Sequence, residues 1–164
     1  MSEMPPPQER PMTDTEELRS SIQDLLSAER LAVLATEGDG QPYTSLVTMA
    51  ATEDLRRVLF PTLRRSTKFA HLTHNPRVSV LLDNRCHRAP GSPQAMALTI
   101  IGIASEVASE DAVRLRRLYL NRHPHLSRFL DDPECALVQV EVQRYRLVRQ
   151  LQDISELHID SEVM

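Results

Sequence analysis

Apolar positions Leu18, Ile22, Leu25 and Leu26 recur at helical spacing behind Thr or Asp caps and first-turn acids, in the stretch TDTEELRSSIQDLLSAERL. That pattern predicts an amphipathic helix of about four turns. The period then changes. Two β-prone runs, LAVLAT (31–36) and YTSLVTMAA (43–51), flank EGDGQP, which holds two of the four glycines, and together they predict a hairpin. RRVLFPT (56–62) reads as a third strand with Pro61 near its end, where a missing N–H harms a ladder least. Ser66 is placed to cap a short helix, TKFAHLTHN, which Pro76 stops.

The remaining chain alternates the same two patterns. RVSVLLD (77–83) is a nearly continuous apolar run, expected to be buried on both faces. After the polar loop NRCHRAPGSPQ comes a long strand, AMALTIIGIASEV (95–107). A helix is expected from Ser109, with acids behind it, and a short second one after Pro124. In CALVQVEVQRYRLV (135–148), Val138, Val140 and Val142 alternate with Gln139, Glu141 and Gln143, giving one buried and one wet face. Residues 1–12, with four prolines, read as a disordered leader, and 151–164 as a C-terminal tail. Six strand signals joined partly by short turns, with helices between the later ones, point to one mainly β domain over 13–150, an antiparallel barrel decorated by helices.

Composition narrows the partners. A net charge of −4 leaves no broad basic face, so duplex nucleic acid is not expected. No run of eighteen apolar residues or secretory pattern is present, so a cytoplasmic protein without a membrane partner is expected. Cys86 and Cys135 form no Cys-x-x-Cys pair, and His71 and His74, at i and i+3, have no carboxylate or thiol spaced beside them; no metal site is expected. There is no G-x-G-x-x-G, Walker-type loop or Gly-x-Ser-x-Gly elbow, and no residue is assigned a catalytic role.

The candidate chemistry sits in LRRSTK (63–68), where two arginines, a serine, a threonine and a lysine meet at a strand-to-helix corner. Free N–H groups and the positive helix end add to the hydroxyls and cations, a local design for a phosphate. The same residues also suit an ordinary solvated turn with a serine cap.

The segment from Glu29 to Leu82 resembles the flavin-binding split-barrel proteins related to pyridoxamine 5′-phosphate oxidase. It has, in order, a strand ending LAT, a DGQPY turn, an SLV strand, a strand ending Phe-x-Thr, an S-x-K helix start and NPRVSVLL. The likeness continues more loosely through ALTIIGIA and CALVQVEVQRYRLV. It implies a six-stranded Greek-key split barrel and a homodimer holding one FMN per protomer at the interface. On that resemblance Ser66, Thr67 and Lys68 meet the flavin phosphate with help from Arg65. Pro61 and Thr62 lie along the isoalloxazine, and Ser45, Leu46, Val47 and Thr48 border the ring from the neighbouring strand. Thr67 and Ala97 stand where the oxidase has arginine and glutamine, and its C-terminal Trp, Gly and Arg-Leu-His motif is missing. The resemblance therefore implies an FMN-dependent oxidoreductase acting on another small redox substrate. The alternatives within the same likeness are a non-catalytic haem- or flavin-binding dimeric barrel and a reductase using a deazaflavin coenzyme.

Overall fold

The computed structural model describes residues 15–89, 92–150 and 153–160. The proposed leader lies outside them. Helix α1 (Thr15–Ala28) precedes the hairpin of β1 (Leu31–Gly38) and β2 (Gln41–Thr48). Their connection is Asp39-Gly40, both at positive φ (52° and 79°), the two-residue turn that suits the twist of paired strands. Next come β3 (Ala50–Ala51), β4 (Arg57–Leu63), α2 (Thr67–His74), β5 (Arg77–Asp83) and β6 (Met96–Glu106). Helices α3 (Ser109–Arg122) and α4 (Ser127–Asp131), linked by a 3-10 turn at Pro124–Leu126, lead into β7 (Cys135–Arg149) and β8 (Asp153–His158).

The strands form one antiparallel sheet in the order β2-β1-β5-β6-β7-β4-β3, with β8 pairing β7. β2 and β3 are neighbours in sequence yet stand at opposite ends of that order, so the sheet curls until the chain crosses from one edge to the other at Met49. This is a split barrel. Met49 is fully buried and donates its N–H to the Arg30 carbonyl at 3.0 Å. The expected six strands are β1, β2, β4, β5, β6 and β7; the sheet has eight, because the crossing continues as β3 and the segment read as a tail contains β8.

Side chains of Leu34, Val47, Phe60, Val80, Ile100, Val138 and Tyr145 fill the barrel, and α1 closes one end with Leu18, Ile22, Leu25 and Leu26. Each such side chain contributes about 1.5–3 kcal/mol on burial. A second, smaller cluster joins Leu115 and Tyr119 of α3 to Ala50 and Leu59.

Two expectations are corrected. β5 is not buried on both faces: Val78, Val80 and Leu82 point inward, whereas Leu81 is 41% exposed, because within one chain only the barrel side covers this strand. β7 does not alternate simply. Gln139 is buried, receiving an Arg57 hydrogen bond and donating to Ser105, and a bulge opposite Ile101 and Gly102 skips Gln143, so Val142 and Tyr145 both face inward. Gly102 is required at the bulge, since a Cβ there would lie 2.3 Å from the Glu141 carbonyl oxygen. Among the described residues, no helix is long and apolar enough to cross a membrane.

Candidate functional site

β4 delivers the chain to the corner singled out above. β3 pairs only with Val58 and Leu59, so one edge of β4 is unpaired at Pro61, and a residue without an N–H is tolerated there. Thr62 is 3% exposed, and its Oγ1 lies 2.9 Å from Ser66 Oγ. Ser66 is the N-cap of α2, with extended backbone (φ −74°, ψ 151°), and its Oγ accepts the Phe69 N–H at 3.3 Å. Either hydroxyl can donate across that pair, and when Thr62 donates Ser66 keeps its own hydroxyl hydrogen for a ligand. The first α-helical bond here is Ala70 N–H to Ser66 O, which leaves the N–H groups of Thr67 and Lys68 free of intrahelical partners.

The cations divide into two kinds. Arg64 is committed: both terminal nitrogens bond the Glu106 carboxylate, one at 2.7 Å, and its guanidinium lies over the Phe69 ring. The Arg64 bond outweighs the cost of burial and holds the Glu106 carboxyl below the usual carboxylate range. Arg65 is exposed and Lys68 half-buried, and among the described residues neither is ion-paired. Lys68 is also the chain's single lysine, the other eighteen basic residues being arginines.

β2 meets α2 through Tyr43, whose ring lies edge-on to His71 at 5.5 Å between centroids. His71 Nδ1 lies 3.0 Å from Thr36 Oγ1, and the ring rests on Gly38, where a Cβ would come within 2.4 Å of it. That glycine lets α2 sit down on the hairpin. Alternation along β2 sends the Val47 side chain into the core, and the register that joins Met49 N–H to the Arg30 carbonyl turns the Val47 backbone toward Ala32 of β1, while Leu46 is 68% exposed. Ser45 Oγ is buried with no hydrogen-bond partner, and Thr48 is half-buried. The structure thus brings Thr62, Ser66, Thr67 and Lys68 together at one corner, with Arg65 beside them and β2 reaching α2. His71 and His74 belong to no group of three potential metal ligands among the described residues.

Sequence reasoning missed the Arg64–Glu106 pair, 42 residues apart, and the support behind β2. Tyr119 donates its hydroxyl to the Thr48 carbonyl at 3.1 Å, and the buried His123 Nε2 lies 2.7 Å from the Met49 carbonyl oxygen. Two residues one helical turn apart, Tyr119 on α3 and His123 at its C-cap, therefore hold consecutive carbonyls of the barrel-closing bend. The only sequence signal for them was the i, i+4 spacing of an aromatic and a histidine at the end of an amphipathic helix.

Solved structures share this architecture at low identity. A heme binding protein from Mycobacterium smegmatis matches 91% of this chain with a TM-score of 0.74 at 20% identity, this chain spanning 59% of its length. A putative pyridoxamine 5′-phosphate oxidase from Listeria innocua matches 80% of this chain and 98% of its own, with a TM-score of 0.64 at 21% identity. A FAD-binding protein from Mesorhizobium loti matches 76% of this chain and 89% of its own, with a TM-score of 0.61 at 19% identity. No curated protein matches the chain. The family model described as pyridoxamine 5′-phosphate oxidase matches residues 18–149, from the first core leucine of α1 to the last residue of β7, and on that match this chain belongs to the pyridoxamine 5′-phosphate oxidase family.

Proposed function

We propose that this protein binds FMN at the β4–α2 corner as a homodimer and acts as an oxidoreductase on a small-molecule redox substrate. The observation that carries the reading is the Thr62–Ser66 pair beside the uncommitted Lys68: a pair of hydroxyls, two N–H groups without intrahelical partners and a cation at one helix start suit a phosphate dianion. The residues also fit the rest of a flavin. The unpaired buried Ser45 Oγ, the backbone of Leu46 and the Thr48 N–H, which face away from β1, offer polar groups to a planar ring, and Thr62 and Pro61 would border it from β4. FMN so held would supply hydride or electron transfer, and the chain would supply position and exclusion of water.

The homodimer rests on the outer face of the hairpin. Leu46 pairs with Val33 across β2 and β1, and Val33 pairs with Leu81 across β1 and β5, an apolar row that continues to the exposed Leu31. A second copy placed there would bury this row and shield the flavin. Free thiols at Cys86 and Cys135 accord with a reducing cytoplasm. Haem is the runner-up cofactor, supported by the Mycobacterium smegmatis relative alone; at the corner, His71 is already held between Thr36, Tyr43 and Gly38.

The test is absorbance titration of the purified protein with FMN, haem and a deazaflavin coenzyme. FMN is expected to bind, to bleach on addition of NADH or NADPH and to recolour in air. A Soret band with no FMN binding would replace the proposal with the haem reading, and selective binding of the deazaflavin would replace the cofactor.

A further inference from the structure

A second group of cations lies away from the corner, where α3 faces the junction of α1 with β1 and the two residues of β3. The groove there has a volume of about 630 Å³ and is lined by Ala50, Ala51 and four arginines, Arg30, Arg114, Arg117 and Arg122, with Glu53 the one acidic residue of its lining and Asp111 bonded to Arg114 beside it. In a chain of net charge −4 this concentration of one sign requires a cause.

The four arginines are not equivalent. Arg114 bonds Asp111 at 3.2 Å, a carboxylate that Arg57 also reaches at 3.0 Å. Arg122 is locked in place: one terminal nitrogen donates to the carbonyls of Leu26, Ser27 and Glu29 at 3.0, 2.7 and 2.9 Å, capping the C-terminal end of α1. Its Nε is buried with no partner. Burial, and then the neighbouring Arg30 charge, lower its affinity for a proton, so the two guanidiniums repel. Among the described residues, neither Arg30 nor Arg117 forms an ion pair. The groove therefore gathers like charges at an electrostatic cost that a bound anion would offset.

We propose that this groove is a binding site for a small organic phosphate, with Arg30 and Arg117 engaging the phosphate beside the fixed Arg122. The wall uses arginine throughout, and its planar forks match phosphate oxygens two at a time. Asn121 in the same lining is available to the ligand's polar body. The site is independent of the flavin reading. Arg114, Arg117 and Asn121 of its lining lie on the opposite face of α3 from Tyr119, which supports the bend between β2 and β3.

The test is calorimetric titration of the full chain with AMP, adenosine and citrate. AMP is expected to bind while adenosine does not. The Arg30→Gln/Arg117→Gln double variant is expected to bind AMP about tenfold or more weakly with unchanged thermal stability, and Arg117→Gln alone to show part of that loss. Lys68→Ala is expected to bind AMP as the parent does. Absence of AMP binding at millimolar concentration, equal affinity for adenosine, tighter binding of citrate, or an unaffected double variant would each overturn the proposal. Loss of AMP binding in Lys68→Ala would place the phosphate at the α2 corner and overturn it as well, whatever the outcome for FMN.

Discussion

Replacing Lys68 by alanine separates phosphate binding from folding. The ammonium has no ion-pair partner among the described residues, and the residue stands in the first turn of α2, so its removal leaves the core intact. Stability should change by no more than about 0.5 kcal/mol, as for other surface substitutions. Binding is another matter, because a hydrogen bond to a charged partner is worth about 1.5–3 kcal/mol. FMN affinity should therefore fall about 10- to 150-fold. Ser66→Ala would be a poorer probe, since it also removes the helix cap, at a cost of about 1 kcal/mol. Quenching of FMN fluorescence during titration measures the affinity, and thermal unfolding in parallel measures the fold. Lys68→Arg should retain most of the affinity, and added salt should weaken the parent more than the alanine variant. Parent-like FMN affinity in Lys68→Ala, with the fold unchanged, would refute the phosphate reading of this corner.

Two further outcomes are expected. Leu46→Glu introduces a charge at a 68% exposed position, so a single chain should fold normally while sedimentation equilibrium shifts from dimer to monomer; a dimer of parental strength would remove the β1–β2–β5 face from the interface. His123 has its pKa lowered by burial, opposed by its bond to Met49 and reinforced by Arg122, Arg30 and His125. Its folded value thus lies below the unfolded one near 6.5, so its contribution is complete above about pH 6.5 and is lost as pH falls toward the folded value. The melting temperature of the parent should drop across that window, and that of His123→Gln, whose amide can still donate to the Met49 carbonyl, should drop less; identical profiles would assign the slope to other groups.

The local pattern was sufficient for much of this molecule. Helix α1, the hairpin with its Asp-Gly turn, the cap at Ser66 and the strand at 77–83 each depend on a few neighbouring residues whose spacing, backbone preference or side-chain donors act over one or two turns. The grouping of Ser66, Thr67 and Lys68 was visible for the same reason, since all three lie within one turn of chain. Tertiary structure alone decided what joins distant segments: the crossing at Met49 that closes the barrel, the β7 bulge that puts Val142 and Tyr145 on one face, and the pairing of β8 with β7. It also decided which cations are free. Arg64 and Arg65 are adjacent and chemically identical, yet Glu106 neutralises only the first, because β6 ends beside the turn. Likewise the arginines of α3 become a groove only when α1 and β3 pack against them, since the position of a charge in space is set by the whole core rather than by its neighbours in sequence.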